Sequence, residues 1–224
     1  MGKKHITIAI DGPVAAGKTT QAKLLAKKLG FLYVDTGAMY RTLACYMTRL
    51  PKPEPSIDEV LASVDMKVSR GADGEQRMFL GDEDVTPQLR TPDISMAASR
   101  ISAEPKVREF LLEMQRQTVR ENDVVMEGRD IGTVILPDAQ VKVFLTADAY
   151  VRAERRHAEM QGKGSTIPYA EVLQDLLERD YNDSHREIAP LKKADDAVLL
   201  DCTDLTLEET TQALLEIVQT GIGC

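Results

Sequence analysis

Hydrophobic positions in this chain recur with two periods, short strand-like runs separated by longer stretches at helical spacing. Ile6-Thr7-Ile8-Ala9-Ile10 is an apolar, β-branched run ending at Asp11, and it reads as a buried strand. Leu24, Leu25 and Leu29 then form a helical stripe, and Phe31-Leu32-Tyr33-Val34 reads as a second strand. Strand, helix and strand within about thirty residues make a βαβ unit and predict a parallel sheet. Val124–Glu127, Val141–Leu145 and Ala197–Asp201 supply three further strands. Ligands of such sheets bind beyond the carboxyl ends of the strands, which puts Asp11 and the Asp35–Arg41 segment along one edge.

Between strands two and three the pattern changes. Pro51-Lys52-Pro53-Glu54-Pro55-Ser56 carries three of the ten prolines and marks a boundary. From Ser63 to Pro92 short alternating pieces, Met66–Ser69 and Arg77–Leu80, are broken by Gly71–Gly74 and Gly81–Asp84, as in a small antiparallel insert. Asp93–Arg120 reads as two helical pieces, the second starting at Pro105. Ala149–Met160 and Tyr169–Asp180 read as paired helices joined by the glycine-flanked tip Gln161–Ser165, the shape of a closing lid. Thr206–Val218 is a last amphipathic helix capped by Thr206 or Asp204. The expected organisation is a single α/β domain over 1–224: core 1–35, 121–148 and 190–224, an acceptor-binding region with the β insert at 36–120, and a lid at 149–189.

Composition narrows the function. With 36 acidic and 28 basic residues the net charge is −8, which disfavours a nucleic acid polymer as partner. Cys45, Cys202 and Cys224 form no C-x-x-C pair, as expected for reduced thiols. Lys3-Lys4 leads directly into a strand, without a signal peptide, and no apolar run approaches a membrane span. The expectation is a soluble, cytoplasmic protein without membrane contact, and a monomer.

The loop between the first strand and helix, Gly12-Pro13-Val14-Ala15-Ala16-Gly17-Lys18-Thr19-Thr20, matches G-x-x-x-x-G-K-[ST]. Glycines let the backbone aim its N–H groups inward and the helix N-terminus adds a positive dipole, so the loop suits polyphosphate. Lys18 is the candidate bridge to the β/γ phosphates of ATP and Thr19 the candidate ligand of Mg2+. Arginines 41, 108, 129, 152, 155, 156, 179 and 186 come from five segments that this topology brings toward the same edge, an anion clamp in an acidic protein. Lys18, Arg129, Arg152, Arg156 and Arg186 are the candidate catalytic cations. G-x-S-x-G and H-E-x-x-H are absent, and Lys192-Lys193-Ala194-Asp195 lacks the Asn of a guanine-reading N-K-x-D. These features point to phosphoryl transfer. A kinase of another small acceptor, or a nucleotide-dependent switch without turnover, stays open on them alone.

GPVAAGKTT from Gly12, VDTGAMYR from Val34, EGRDIGTVILPDA from Glu127 and ERDYNDSHRE with its R-D-x-x-D-x-x-R frame from Arg179 together resemble the bacterial cytidylate kinase family over nearly the whole chain. The resemblance implies a P-loop fold with a five-stranded parallel sheet, and the reaction of ATP with CMP or dCMP, with Mg2+, to give ADP and CDP or dCDP. It also implies that Ser99, Arg108 and Asp130 read the cytosine edge and that Thr36, Tyr40 and Arg41 form the acceptor-site motif. Arg129 and Arg186 would then clamp phosphate, while Arg179 and Asp183 hold the sugar. Thr36 stands where some family members carry Ser; a hydroxyl remains.

Overall fold

The computed structural model describes residues 5–51, 55–71, 75–120 and 122–223. The Lys3-Lys4 entry, residues 52–54 of the proline-rich boundary, residues 72–74 of the Gly71–Gly74 turn, and Cys224 lie outside them. Eight strands and eight helices follow in order: β1 (Thr7–Asp11), α1 (Lys18–Leu29), β2 (Leu32–Asp35), α2 (Thr36–Thr48), α3 (Ile57–Ser63), β3 (Met66–Arg70), β4 (Gln76–Leu80), β5 (Glu83–Asp84), α4 (Pro92–Ile101), α5 (Pro105–Arg120), β6 (Val124–Gly128), β7 (Val141–Thr146), α6 (Ala149–Gly162), α7 (Tyr169–His185), β8 (Val198–Asp201) and α8 (Leu207–Ile222).

The expected parallel sheet forms from five strands in the order β2-β6-β1-β7-β8. Its central strands are buried on both faces, so alternate residues feed two cores. Ala9, Val124 and Met126 pack with Met39, Leu43 and Leu111 on one face, whereas Ile8, Ile10, Val125 and Val143 pack with Leu25 and Leu214 on the other. β8 closes one edge and leaves Val198 and Leu199 exposed. The insert is a three-stranded antiparallel sheet, β3-β4-β5.

Three elements differ from the sequence expectation. α3 was not anticipated behind the prolines, although Ser56 and Glu59 form a capping box that starts it. The second lid helix runs five residues past Asp180, carrying Asp183 on the helix rather than beyond it. The last helix extends to Ile222 and takes Thr206, not Asp204, as its cap, again with a capping box, here through Glu209. Among the described residues no helix is long and apolar enough to cross a membrane.

The carboxyl edge of the sheet is set by register. Asp11 lies level with Gly128, and Asp35 with Glu127, so three acidic side chains end adjacent strands at one edge. The loop after β1 starts against β7 with no room for a side chain. Gly12 has φ +152°, and a Cβ on it would stand 1.9 Å from the Leu145 carbonyl oxygen of β7. Gly17 has φ +88°, but a Cβ there would meet nothing within 4 Å.

The two glycines should therefore fail differently. Gly17→Ala is expected to cost about 1–2 kcal/mol of folding stability, the penalty of a left-handed conformation alone. Gly12→Ala should cost more, because β1 and β7 must separate. Denaturant unfolding of the two variants measures this; equal losses would remove the contribution of the β7 contact.

Candidate active site

The first half of the site is the loop Gly12–Gly17 and the start of α1. Ala15 adopts φ 58°, which costs a non-glycine residue about 1–2 kcal/mol and is a strain typical of ligand-binding turns. Lys18 is buried and donates to the Pro13 carbonyl at 2.6 Å, crossing the loop. Burial, and secondarily Arg129, bring its ammonium down to about 7 from 10.5. Glu127 at the end of β6 accepts hydrogen bonds from Tyr33 and from the Thr19 hydroxyl; burial, then Asp35, pushes its carboxyl above the usual range. Asp35 is held below its usual range because Arg41, with Arg90 behind it, outweighs the opposing effect of burial.

Asp11 links this half to the second. Its two oxygens accept the Ile131 and Gly132 N–H groups, both at 2.8 Å, and so fix the wide helical turn Ile131–Ile135 that follows Arg129-Asp130. Arg116 of α5 holds the far end of that turn through the Val134 and Ile135 carbonyls. Burial raises the Asp11 carboxyl to about 6 despite the two N–H donors.

The second half gathers around a cavity of about 460 Å³, within the usual range of small-molecule pockets, lined by Ser99, Ser102, Asn182, Asp183 and Arg186 among others. Asp183 accepts from Arg129 at 2.7 Å. That partner keeps Asp183 ionised below the usual range, against burial, and raises Arg129 in return. Asp130 is bonded by Arg108 at one oxygen and by Arg186, at 3.5 Å, at the other; burial nevertheless lifts its carboxyl. Arg186 also donates to the Ala189 carbonyl at 2.6 Å. Tyr40 lies among Arg108, Asp130 and Arg186, and packs on the core besides. Thr36 is buried with its proton given to the Glu127 carbonyl at 2.8 Å, leaving its oxygen as an acceptor only. Arg179 is lowered first by burial and then by the fields of Arg129, Arg156 and Arg41, against the opposing field of Asp183.

The three lid arginines do not share one environment. Arg156 is half-buried, bonds Glu159 at 2.9 Å and lies near Arg179. Arg155 turns to the Cys202, Thr203 and Leu205 carbonyls beyond β8. Arg152, one of the candidate catalytic cations, is buried and bonded to the Ala147 and Val14 carbonyls and to Asp180. One helical face at the base of α6 meets three different elements, which spacing alone does not reveal.

Four side chains at the site carry structure that the sequence reading did not assign. Glu127 and Asp180 stand inside the quoted motifs, so a signal was present. Asp35 caps α2 through the Ala38 N–H. Gln76 of the insert accepts the Asp35 N–H at 2.7 Å and donates to its carbonyl at 3.3 Å, extending β2 by a side chain. No local pattern announces Gln76.

Comparison with solved structures shows the fold alone. A shikimate kinase from Bacteroides thetaiotaomicron aligns over 98% of this chain and 99% of its own with a TM-score of 0.50 at 13% identity. An uncharacterized protein from Eubacterium ventriosum gives 0.55 at 12% identity, covering 96% and 99%. Sequence relatives are much nearer. Cytidylate kinases of Carboxydothermus hydrogenoformans and Caldicellulosiruptor saccharolyticus are 48% and 45% identical, covering 94% and 98% of this chain and 96% and 98% of theirs. The cytidylate kinase family model matches residues 8–220, and on that match and those identities this chain belongs to the cytidylate kinase family.

Proposed function

We propose that this chain transfers the γ-phosphoryl group of ATP to CMP and dCMP by direct in-line displacement, with Mg2+, giving CDP and dCDP. The observation that carries the reading is a polyphosphate loop joined through Asp11 to a cluster of Arg108, Arg129 and Arg186 around Asp130 and Asp183. As a phosphotransferase, the enzyme has little covalent work to do; positioning and neutralisation of charge on the moving group supply the rate.

The residues fit their ligands. Lys18 sits where a phosphate chain would displace its bond to Pro13. Thr19 with its Glu127 partner offers hard oxygen donors, the kind Mg2+ takes beside substrate phosphates. When bound, Mg2+ would neutralise phosphate charge. The chain's own part is to hold the donor through Gly12–Thr20 and to hold the acceptor phosphate through Arg41, Arg129 and Arg186. Arg156, half-buried and close enough to act on Arg179, is the lid arginine assigned to the transferred phosphoryl group. Arg179 and Asp183 hold the sugar, and Ser99, Arg108 and Asp130 read the base, with Thr36 and Tyr40 flanking it. Each Asp130 oxygen keeps a free lone pair beside its arginine and can accept from the exocyclic amine that uracil lacks. Action as a cytoplasmic monomer belongs to the same proposal. Its compartment is supported by the free, buried Cys45 and Cys202.

An acceptor panel tests the reaction: ADP release from ATP should depend on CMP or dCMP, and equal rates with AMP, dTMP or shikimate would overturn the reading. In the same assay Asp130→Ala should narrow the ratio of kcat/KM for CMP over UMP by about tenfold or more, the loss of one hydrogen bond to a charged group. A parallel fall for both nucleotides would remove Asp130 from base reading.

Lys18 generates a pH prediction. Its ammonium stands near 7 in the free protein, and a polyanion restores it toward 10.5. At pH 8 free Lys18 is mostly neutral and bound Lys18 charged, so ATP binding takes up nearly one proton; at pH 6 it takes up almost none from this group. Titration calorimetry in buffers of different ionisation enthalpy reads the difference, and no uptake at pH 8 would contradict it.

A further inference from the structure

The peptide of Val14, at the turn of the phosphate-binding loop, is gripped on both its polar groups by the base of the lid. Its N–H donates to Asp180 at 3.0 Å, and its carbonyl accepts from Arg152 at 2.9 Å. The two lid residues close the ring through an ion pair at 2.6 Å, and Arg152 is anchored further by the Ala147 carbonyl at 2.8 Å. Arg152 is 6% exposed and the Asp180 side chain 19%, so solvent competes weakly for these bonds. Neighbouring Ala15 sits in a strained left-handed conformation, which persists only where surrounding contacts over-determine it. The Val14 grip is such a contact, one residue away.

We propose that Asp180 is a positioning residue for the donor nucleotide, holding the Val14 peptide jointly with Arg152 so that the loop keeps its phosphate-binding shape. Asp180 itself touches no phosphate in this role; it acts through the loop. Its place in the chain adds a consequence. Arg179 before it and Asp183 one helical turn after it belong to the acceptor half, so α7 carries both halves of the site within five residues. The helix that holds the acceptor therefore also holds the donor loop.

The inference rests on the donor half of the proposed function, and binding of a non-hydrolysable ATP analogue alone, with β,γ-methylene ATP as the probe, tests it without an acceptor. Asp180→Ala should bind the analogue about tenfold more weakly, the effect of losing a charge-assisted hydrogen bond to the loop. CMP binding by the same variant should stay within about twofold of wild type, a split that general destabilisation does not produce. Asp180→Asn keeps an oxygen for the Val14 N–H, is the variant to use if the alanine protein does not fold, and should lie between wild type and Ala. Thermal unfolding accompanies each variant. Wild-type affinity for the analogue in a folded Asp180→Ala or Asp180→Asn protein, or equal losses for analogue and CMP, would overturn the positioning role. Failure of the wild-type protein itself to bind the analogue would sink the donor reading instead.

Discussion

Charge taken out of water at the carboxyl edge of the parallel sheet is the constraint on which the rest of the structure depends. β1, β2 and β6 end abreast in Asp11, Asp35 and Glu127, and Lys18 is buried beside them. None of these groups is at ease. Burial lifts Asp11 and Glu127 toward neutrality and drives Lys18 the same way from the other side. Asp35 alone stays firmly ionised, because Arg41 and Arg90 stand against it. Removing a charge from water costs several kcal/mol unless partners replace the hydration. A polyanion would restore the partner of Lys18, so the free edge is preorganised for the polyphosphate of the donor.

The same logic organises the arginine cluster around Asp130 and Asp183 with the opposite sign. Arg129 is matched by Asp183 and Arg108 by Asp130, while Arg179 is lowered by burial first and then by neighbouring arginines that Asp183 opposes. An anion placed there relieves like-charge repulsion inside a largely desolvated pocket, where such relief is strongest. The wide turn after β6 keeps Arg129 and Asp130 in register with both halves, because Asp11 takes two of its N–H groups and Arg116 two of its carbonyls. Buried hydrogen bonds between strand end, turn and helix thus set the distance between the phosphate-binding loop and the arginine cluster.

Local pattern determined much of this protein. The strand–loop–helix start, the five core strands, the antiparallel insert and the paired lid helices all follow from hydrophobic period and glycine placement, since burial on a sheet or helix face leaves that imprint directly in the order of residues. The G-x-x-x-x-G-K-[ST] loop and the longer motifs at Val34, Glu127 and Arg179 likewise named donor chemistry and family from the chain alone.

What only the tertiary structure decided is direction. Arg155 and Arg156 stand three and four residues after Arg152, but Arg152 grips the donor loop, Arg155 holds the backbone beyond β8 and Arg156 pairs with Glu159 near Arg179. Gln76 reaches β2 from 41 residues away, and Asp180 reaches Val14 from 166. Helical spacing says which side chains share a face; it does not say which element packs there. Hydrogen bonds and burial between distant segments, set only when the sheet and lid close together, convert a list of charged residues into a site.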